Sequence, residues 1–235
     1  MPPTDKNITI LAATKLGDNL CVAGIDELNN WIRPISINND FRLFYKDDVF
    51  DDHAKPVIAL SNIVKLRLTH PTPVAGTPHI EDWEYDRTYK PILIKSLNDS
   101  ERIALLERNS AKNIDELTNQ YTKSLCLIAP SKIISANFGH TSFKGYYQPT
   151  IRFLFNGAEF EFKATDLYWR AIGRFLLKKK HNPIINEAEL LSILGFDRVF
   201  LSIGLSRLFN DIYWPMIVGV HTIPFFPVEI DYNNL

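Results

Sequence analysis

The side chains whose types and spacing could do chemistry in this chain are mostly suited to recognition rather than to bond making. Trp31 and Arg33 stand two apart in the apolar run Trp31-Ile-Arg-Pro34-Ile35. Alternate residues of a strand share a face, so this spacing sets an indole beside a guanidinium. That pairing suits a nucleobase stacked on a ring with its phosphate on a cation, where each stacked base contributes about 1–3 kcal/mol. The competing reading buries Trp31 in a core and pairs Arg33 with a carboxylate such as Asp26 or Glu27. Lys65 and Arg67 repeat the alternation on the face opposite Val64, Leu66 and Leu68. That face is either solvated or part of a basic groove. Phe143-Lys144-Gly145-Tyr146-Tyr147 gathers three aromatics and a lysine around a glycine, as a binding loop or as a lid packed on its own domain. Arg170, Arg174 and Lys178 recur at helical spacing and run on into Lys179-Lys180-His181, forming a basic ridge. Cations in a last helical turn also offset the macrodipole with no ligand present. Arg207, just after Gly204-Leu-Ser, is the remaining candidate contact for an anion.

Catalytic patterns are weak by comparison. The six histidines, His53, His70, His79, His140, His181 and His221, show no H-E-x-x-H or Cys/His metal spacing. Asp47, Asp48, Asp51 and Asp52 with His53 cluster the oxygens that a hard divalent cation prefers, although an acidic solvated loop accounts for the same run. There is no glycine-rich phosphate loop and no G-x-S-x-G. The expectation is a binding protein with no catalytic residue, no metal and no cofactor. A metal-dependent enzyme acting on nucleic acid or nucleotides through the acidic loop stands as the alternative.

The elements that must position these residues are short strands and a few helices. Ile8–Ala13 is a nearly continuous apolar run, as in a strand buried on both faces, and Gly17-Asp18-Asn19 turns it into the strand of Cys21. Trp31–Ile37 follows, with Pro34 confining part of it to an edge or bulge. Residues 38–55 form a long polar excursion, and Val57–Thr69 returns to strand. Asn98 with Glu101 makes a capping box for a helix to about Asn109, and a shorter helix covers Ile114–Tyr121 before the strand Ser124–Ala129. Asn156-Gly157 reads as a type I′ turn joining Ile151–Phe155 to Ala158–Phe162. The turn opposes Phe153 to Phe160 and Arg152 to Glu161, which makes Arg152 a cross-strand ion-pair partner. Thr165 or Asp166 caps a helix to about Lys180 that turns Ile172, Phe175 and Leu176 inward. A second helix runs from Asn186, with Glu189 as capping partner, to Gly195, and the strands Val199–Gly204 and Tyr213–His221 close the chain.

Composition agrees with a packed soluble protein: 235 residues, 46% apolar and 23% charged, with 26 Lys and Arg against 27 Asp and Glu. Near-neutrality excludes a global positive field, so any polyanion site must be local. The two cysteines, Cys21 and Cys126, lie in apolar runs. With no signal segment and no apolar run near the ~20 residues that cross a bilayer, a reducing cytoplasm and no membrane association are expected. Each half reads as short strands, a helical insertion and further strands. The fold class is mainly β with helical insertions (α+β), as two five-stranded Greek-key barrels packed together. Residues 1–140 form the first, with the long loop and a helical insertion, and 141–235 the second, with a two-helix insertion. A single mixed sheet is the alternative.

Several short segments carry a family resemblance across nearly the whole chain. They are Cys21-Val-Ala-Gly24 with Trp31-Ile-Arg-Pro34, Ser124-Leu-Cys-Leu-Ile128, and Ile151-Arg-Phe-Leu-Phe-Asn-Gly157 leading to Thr165-Asp166. Leu201-Ser-Ile-Gly-Leu-Ser-Arg207 with Trp214 and Val218-Gly-Val-His-Thr-Ile-Pro224 complete the set. In these the chain resembles the prokaryotic dual OB-containing domain (DuOB) family. The resemblance implies two OB folds and a link to nucleic acid or nucleotides, with no catalytic residues to carry over. Single-stranded DNA or RNA, or a nucleotide, is the expected partner. A protein-interaction module of a defence or regulatory operon is the further alternative.

Overall fold

Ile8–Ala13 is apolar on both faces because its strand serves two structures at once. In the computed structural model, which describes residues 2–16, 19–38, 41–140 and 145–232, this strand is β1 (Thr4–Leu16). Ile8, Ile10 and Ala13 fill the interior of a barrel, whereas Leu11 and Ala12 face a second sheet. Two successive residues reach the same outward side because β1 carries an extra residue between Ile10, opposite Gly24, and Ala12, opposite Ala23. Such a bulge bends the strand and re-aims its side chains. Gly24 is required there: a Cβ on it would lie 2.1 Å from the Thr9 carbonyl oxygen.

β2 (Asn19–Ile25), β3 (Trp31–Ile35), β4 (Asn62–Pro71) and β5 (Asp82–Tyr85) complete the barrel, and β6 (Ile92–Ser96) adds to the outside of β4. The order β1-β2-β3-β5-β4-β1 is closed, with β3 and β5 parallel and the other pairs antiparallel. The β3–β4 excursion folds back to supply core residues: Phe44, Val49 and Val57 are fully buried beside Leu20, Ile32 and Val64. Two helices follow, α1 (Asp99–Asn109), with the expected Asn98/Glu101 capping box, and the single turn α2 (Asp115–Thr118).

The second sheet contains β7 (Leu125–Ile128), β8 (Lys132–Asn137), β9 (Thr150–Phe155) and β10 (Ala158–Ala164). After the helix α3 (Leu167–Lys178) come β11 (Ile184–Asn186), α4 (Glu187–Leu194), β12 (Arg198–Leu205) and β13 (Pro215–Ile223). Its order is β11-β8-β9-β10-β13-β12-β7, with β10 and β13 parallel. Counting β8, β9, β10, β12 and β13 as strands one to five reproduces the order and the parallel pair of the first barrel. Among the described residues, β12 takes β7 and β8 takes β11 in place of a closing pair, so this unit is partly open. The sheet begins at Leu125, upstream of the division expected at residue 140. The Asn156-Gly157 hairpin has the expected register, both turn residues at positive φ (51° and 76°), while Arg152 pairs diagonally with Glu159 rather than with Glu161 directly opposite. Phe175, expected in the core, is 38% exposed and meets Phe226 edge-on at 5.8 Å, because the buried stripe of α3 is centred on Ile172 and Leu176. No described helix is long and apolar enough to cross a membrane.

The two units share a dry seam. Leu11 and Ile25 pack with Leu127, Phe200 and Ile223, and Ala12 and Ala23 with Leu125 and Val218. Buried Arg102 of α1 bolts the seam, donating to Ser61 Oγ (3.1 Å), to the Thr222 carbonyl (2.9 Å) and to Asp99 (2.7 Å). Glu81 adds a second tie, accepting from both the backbone N–H and the hydroxyl of Ser124 (2.9 and 2.8 Å).

Asp166, the N-cap of α3, accepts from the Trp169 N–H at 2.9 Å while its other oxygen is buried without a partner. Burial raises its pKa to about 8, against 3.8 for an ordinary Asp. Stability from this group is therefore present below pH 3.8 and lost as pH rises toward 8. Burial likewise depresses His79 and His221 to about 3, so their contribution is full above pH 6.5 and lost only as pH falls below it. Between pH 6.5 and 8 only Asp166 of these three acts. Asp166→Asn, which keeps a capping oxygen, is expected to abolish a stability loss of at most about 2 kcal/mol over that interval. Urea denaturation at both pH values checks this; an unchanged slope in the variant would refute it.

Candidate functional site

Above the dry seam the two units diverge and leave a cleft of about 420 Å³. Its floor is Ala12, Ala23, Leu125 and Val218, the small residues at which the sheets touch. One wall is the outer face of β1–β3, presenting Thr14, Cys21 and Arg33. Three loops close the mouth: residues 72–81 between β4 and β5, residues 206–214 between β12 and β13, and the start of the β3–β4 excursion with Phe41 and Arg42. The first two are the same connection, fourth strand to fifth, in each of the two units. The site is thus built where equivalent loops converge.

Three guanidiniums line this cleft with one carboxylate. Arg33 Nε lies 2.5 Å from Asp82 Oδ1, and Arg42 Nη2 lies 3.8 Å from Asp82 Oδ2. Arg42 also donates to the Thr72 carbonyl, and its Nε is buried without a partner. Arg207 donates to the Phe41 carbonyl, tying the β12–β13 loop to the excursion. Partial burial and then the nearby Arg33 lower the Arg207 pKa, a sign of crowded positive charge. His79 is buried among these cations; neither ring nitrogen makes a hydrogen bond of normal geometry among the described residues, although the Ser206 main chain lies near enough to favour the protonated ring. Burial first, then Arg33 and the other arginines, hold it neutral at pH 7. A neutral imidazole offers one donor and one acceptor. Its edge meets Tyr213 at 6.0 Å between centroids. Burial pushes the Cys21 thiol up, which makes it a poor nucleophile. Phe41 in the cleft lining, and Phe209 and Trp214 elsewhere on the 206–214 loop, are each more than half exposed.

Of the residues singled out by spacing, Arg33 and Arg207 line the cleft. Trp31 does share the outer face of β3 with Arg33, opposite the inward Ile32, but it packs half-buried against the seam. Lys65 and Arg67 lie on the outside of β4, where Arg67 stacks on Tyr89 at 4.1 Å and sits 3.9 Å from Asp5. Phe143 and Lys144 lie outside the described residues. Tyr146 is exposed, whereas Tyr147 donates to the Arg170 carbonyl and accepts from Arg170 Nη1 on its own carbonyl, both at 3.1 Å. Arg170 and Arg174 lie over the Tyr147 ring, so the ridge and this loop engage each other, and Lys178 is exposed in the last turn of α3. None of the described α3 or loop residues lines the cleft.

The acidic run closes on itself. Asp48 is buried and accepts from the Tyr85 hydroxyl (2.6 Å) and Arg87 Nε (2.7 Å), while Asp51 accepts from the backbone N–H groups of His53 and Lys55. Among the described residues no group of three or more His, Cys, Asp or Glu is placed to hold a metal ion. A Ser–His contact, Ser202 Oγ to His221 Nε2 at 3.1 Å, is fully buried and shared with the Leu11 carbonyl. It has no path for a substrate and belongs to the seam.

Arg42, His79, Asp82 and Tyr213 carry no local motif and were not singled out by spacing. A signal existed only in topology, since each sits in or beside a connection that a five-stranded barrel gathers at one end. A family model described as a dual OB-containing domain matches residues 6–220 of the chain. No curated protein matches it.

Proposed function

The chain belongs to the dual OB-containing domain family, and from that premise we propose that the cleft between its two barrels binds single-stranded nucleic acid or a nucleotide without catalysing a reaction on it. OB folds take oligonucleotides and oligosaccharides on the face of their second and third strands, between the first-to-second and fourth-to-fifth loops. The cleft occupies that face of the first barrel. The observation that carries the reading is its charge: Arg33, Arg42 and Arg207 against Asp82 suit an anionic ligand better than a neutral sugar. Phe41 and Tyr213, which line it, supply stacking surfaces in the same place, and exposed Phe209 and Trp214 belong to the 206–214 loop that contributes Arg207. They also lend some support to a protein partner, but three arginines lining the cleft favour the anion.

Polarisation titration of short labelled DNA and RNA single strands, and of labelled nucleotides, tests the reading. Saturable binding that weakens with salt is expected, with a logarithmic slope of about 0.7 for each phosphate neutralised. Absence of saturable binding at low salt by every strand and nucleotide would reject it.

A further inference from the structure

The cleft has a shape and a charge that discriminate between the middle of a strand and its end. Its volume, about 420 Å³, lies in the lower part of the range for small-molecule pockets, roughly 300–1,000 Å³. A strand running across an OB fold engages about 4–16 nucleotides. The floor is also blind. Ala12, Ala23, Leu125 and Val218 are all at most 7% exposed and packed against one another, so nothing threads through between the barrels.

Charge points the same way. Arg33, Arg42, Arg207 and Lys15 line the cleft against one carboxylate, Asp82, so its positive charge exceeds its negative charge by more than one unit. A phosphate monoester carries about −1.5 to −2 at pH 7. An internal phosphodiester carries only one negative charge and offsets less of that excess. Polarity is divided as a nucleotide requires: arginines from two loops at the mouth, an apolar floor, and buried His79 beside Tyr213 with the Ser206 main chain nearby, leaving at least one ring nitrogen for a base or a sugar hydroxyl.

Resting on the nucleic-acid reading above, we propose that the cleft receives a single terminal nucleotide unit bearing a phosphate monoester. A free nucleoside monophosphate and the phosphorylated end of a single strand present this same chemistry. The monoester sits between Arg42 and Arg207, with Arg33 behind them held by Asp82, and the base enters toward the apolar floor.

Calorimetric titration and competition with four kinds of probe test this: nucleoside monophosphates, the matching nucleosides, linear strands with 5′- or 3′-phosphate, and the same sequence as a closed single-stranded circle. Monophosphates or phosphorylated ends should bind at least about tenfold more tightly than nucleosides and circles, a difference of about 1.4 kcal/mol. Saturation by monophosphates alone identifies the free nucleotide as the source, and tight binding by phosphorylated ends only identifies the strand terminus; either supports the proposal. A circle binding as tightly as the phosphorylated linear strand overturns it while leaving the nucleic-acid reading intact. Competition by inorganic phosphate equal to that by monophosphates also overturns it, because the base would then contribute nothing. No binding by any probe defeats both.

Discussion

Replacing Arg42 and Arg207 together by alanine is expected to weaken binding of a phosphorylated single strand or nucleotide at least about 100-fold. A hydrogen bond to a charged group contributes about 1.5–3 kcal/mol, so losing two of them accounts for a change of that size. Neither removal disturbs a core: Arg207 is exposed, Arg42 is partly exposed, and the protein groups they bond are the main-chain carbonyls of Thr72 and Phe41. Arg33 is left in place because it is the closer counter-ion of buried Asp82. The comparison variant is Arg174→Ala with Lys178→Ala on the α3 ridge, expected to change affinity less than about twofold, since exposed charges that touch no ligand act only at a distance. Polarisation titration of both variants decides between the two basic surfaces. The reverse ranking would move the ligand to the ridge.

Gly219→Ala should cost about 3–5 kcal/mol of stability, an effect on the scale expected at Gly24, where an added carbon meets main chain equally closely. An ideal Cβ at residue 219 would lie 2.1 Å from the Leu11 carbonyl oxygen, 3.1 Å from Ser202 Cβ and 3.2 Å from His221 Nε2. The obstacle is main chain of the other barrel, at the extra residue of the β1 bulge, so no rotamer change relieves it. The sheets must separate, which strains packing by about 1–3 kcal/mol and strips a buried hydrogen-bonding group for a similar amount. The His221–Leu11 contact at 3.1 Å breaks with it. Thermal unfolding should fall by at least about 6 °C. Gly76→Ala, at a positive φ of 74° but with nothing within 4 Å of the added carbon, should cost only about 1 kcal/mol. Similar melting temperatures for the two variants would contradict the close seam.

Local physical rules made much of the fold legible. Asn156-Gly157, the Asn98/Glu101 box and the Asn186 cap with Gly195 each encode their geometry within a few residues, and the structure has all of them. The strands β5, β6, β8 and β11 carry weaker patterns. β5 is Asp-Trp-Glu-Tyr, polar at a buried position because Asp82 is held there as counter-ion to Arg33 rather than as core. Same-face alternation correctly placed Trp31 beside Arg33. Whether that face was open depended on a second sheet contributed by residues beyond 124, which no local pattern reports. The partner of Arg33 is another such case: Asp26, the nearby carboxylate, binds Lys6 at 3.0 Å, and Arg33 reaches 49 positions along the chain to Asp82. The cleft itself joins Arg33, Arg42, His79 and Arg207, side chains from four separate segments, and only the convergence of two equivalent loops unites them.

The central claim is that the ligand sits between the barrels, and photo-crosslinking locates it most directly. A phosphorylated single strand carrying 5-iodouracil at its terminal position is irradiated with the protein, and the attached residues are mapped by mass spectrometry. Cross-links are expected on Phe41 or Tyr213, the aromatics that line the cleft, or on Phe209 or Trp214 of the same 206–214 loop, and should be lost when unlabelled nucleoside monophosphate is added. Cross-links confined to Tyr146, Tyr147 or Trp83, with none at the cleft, would contradict it.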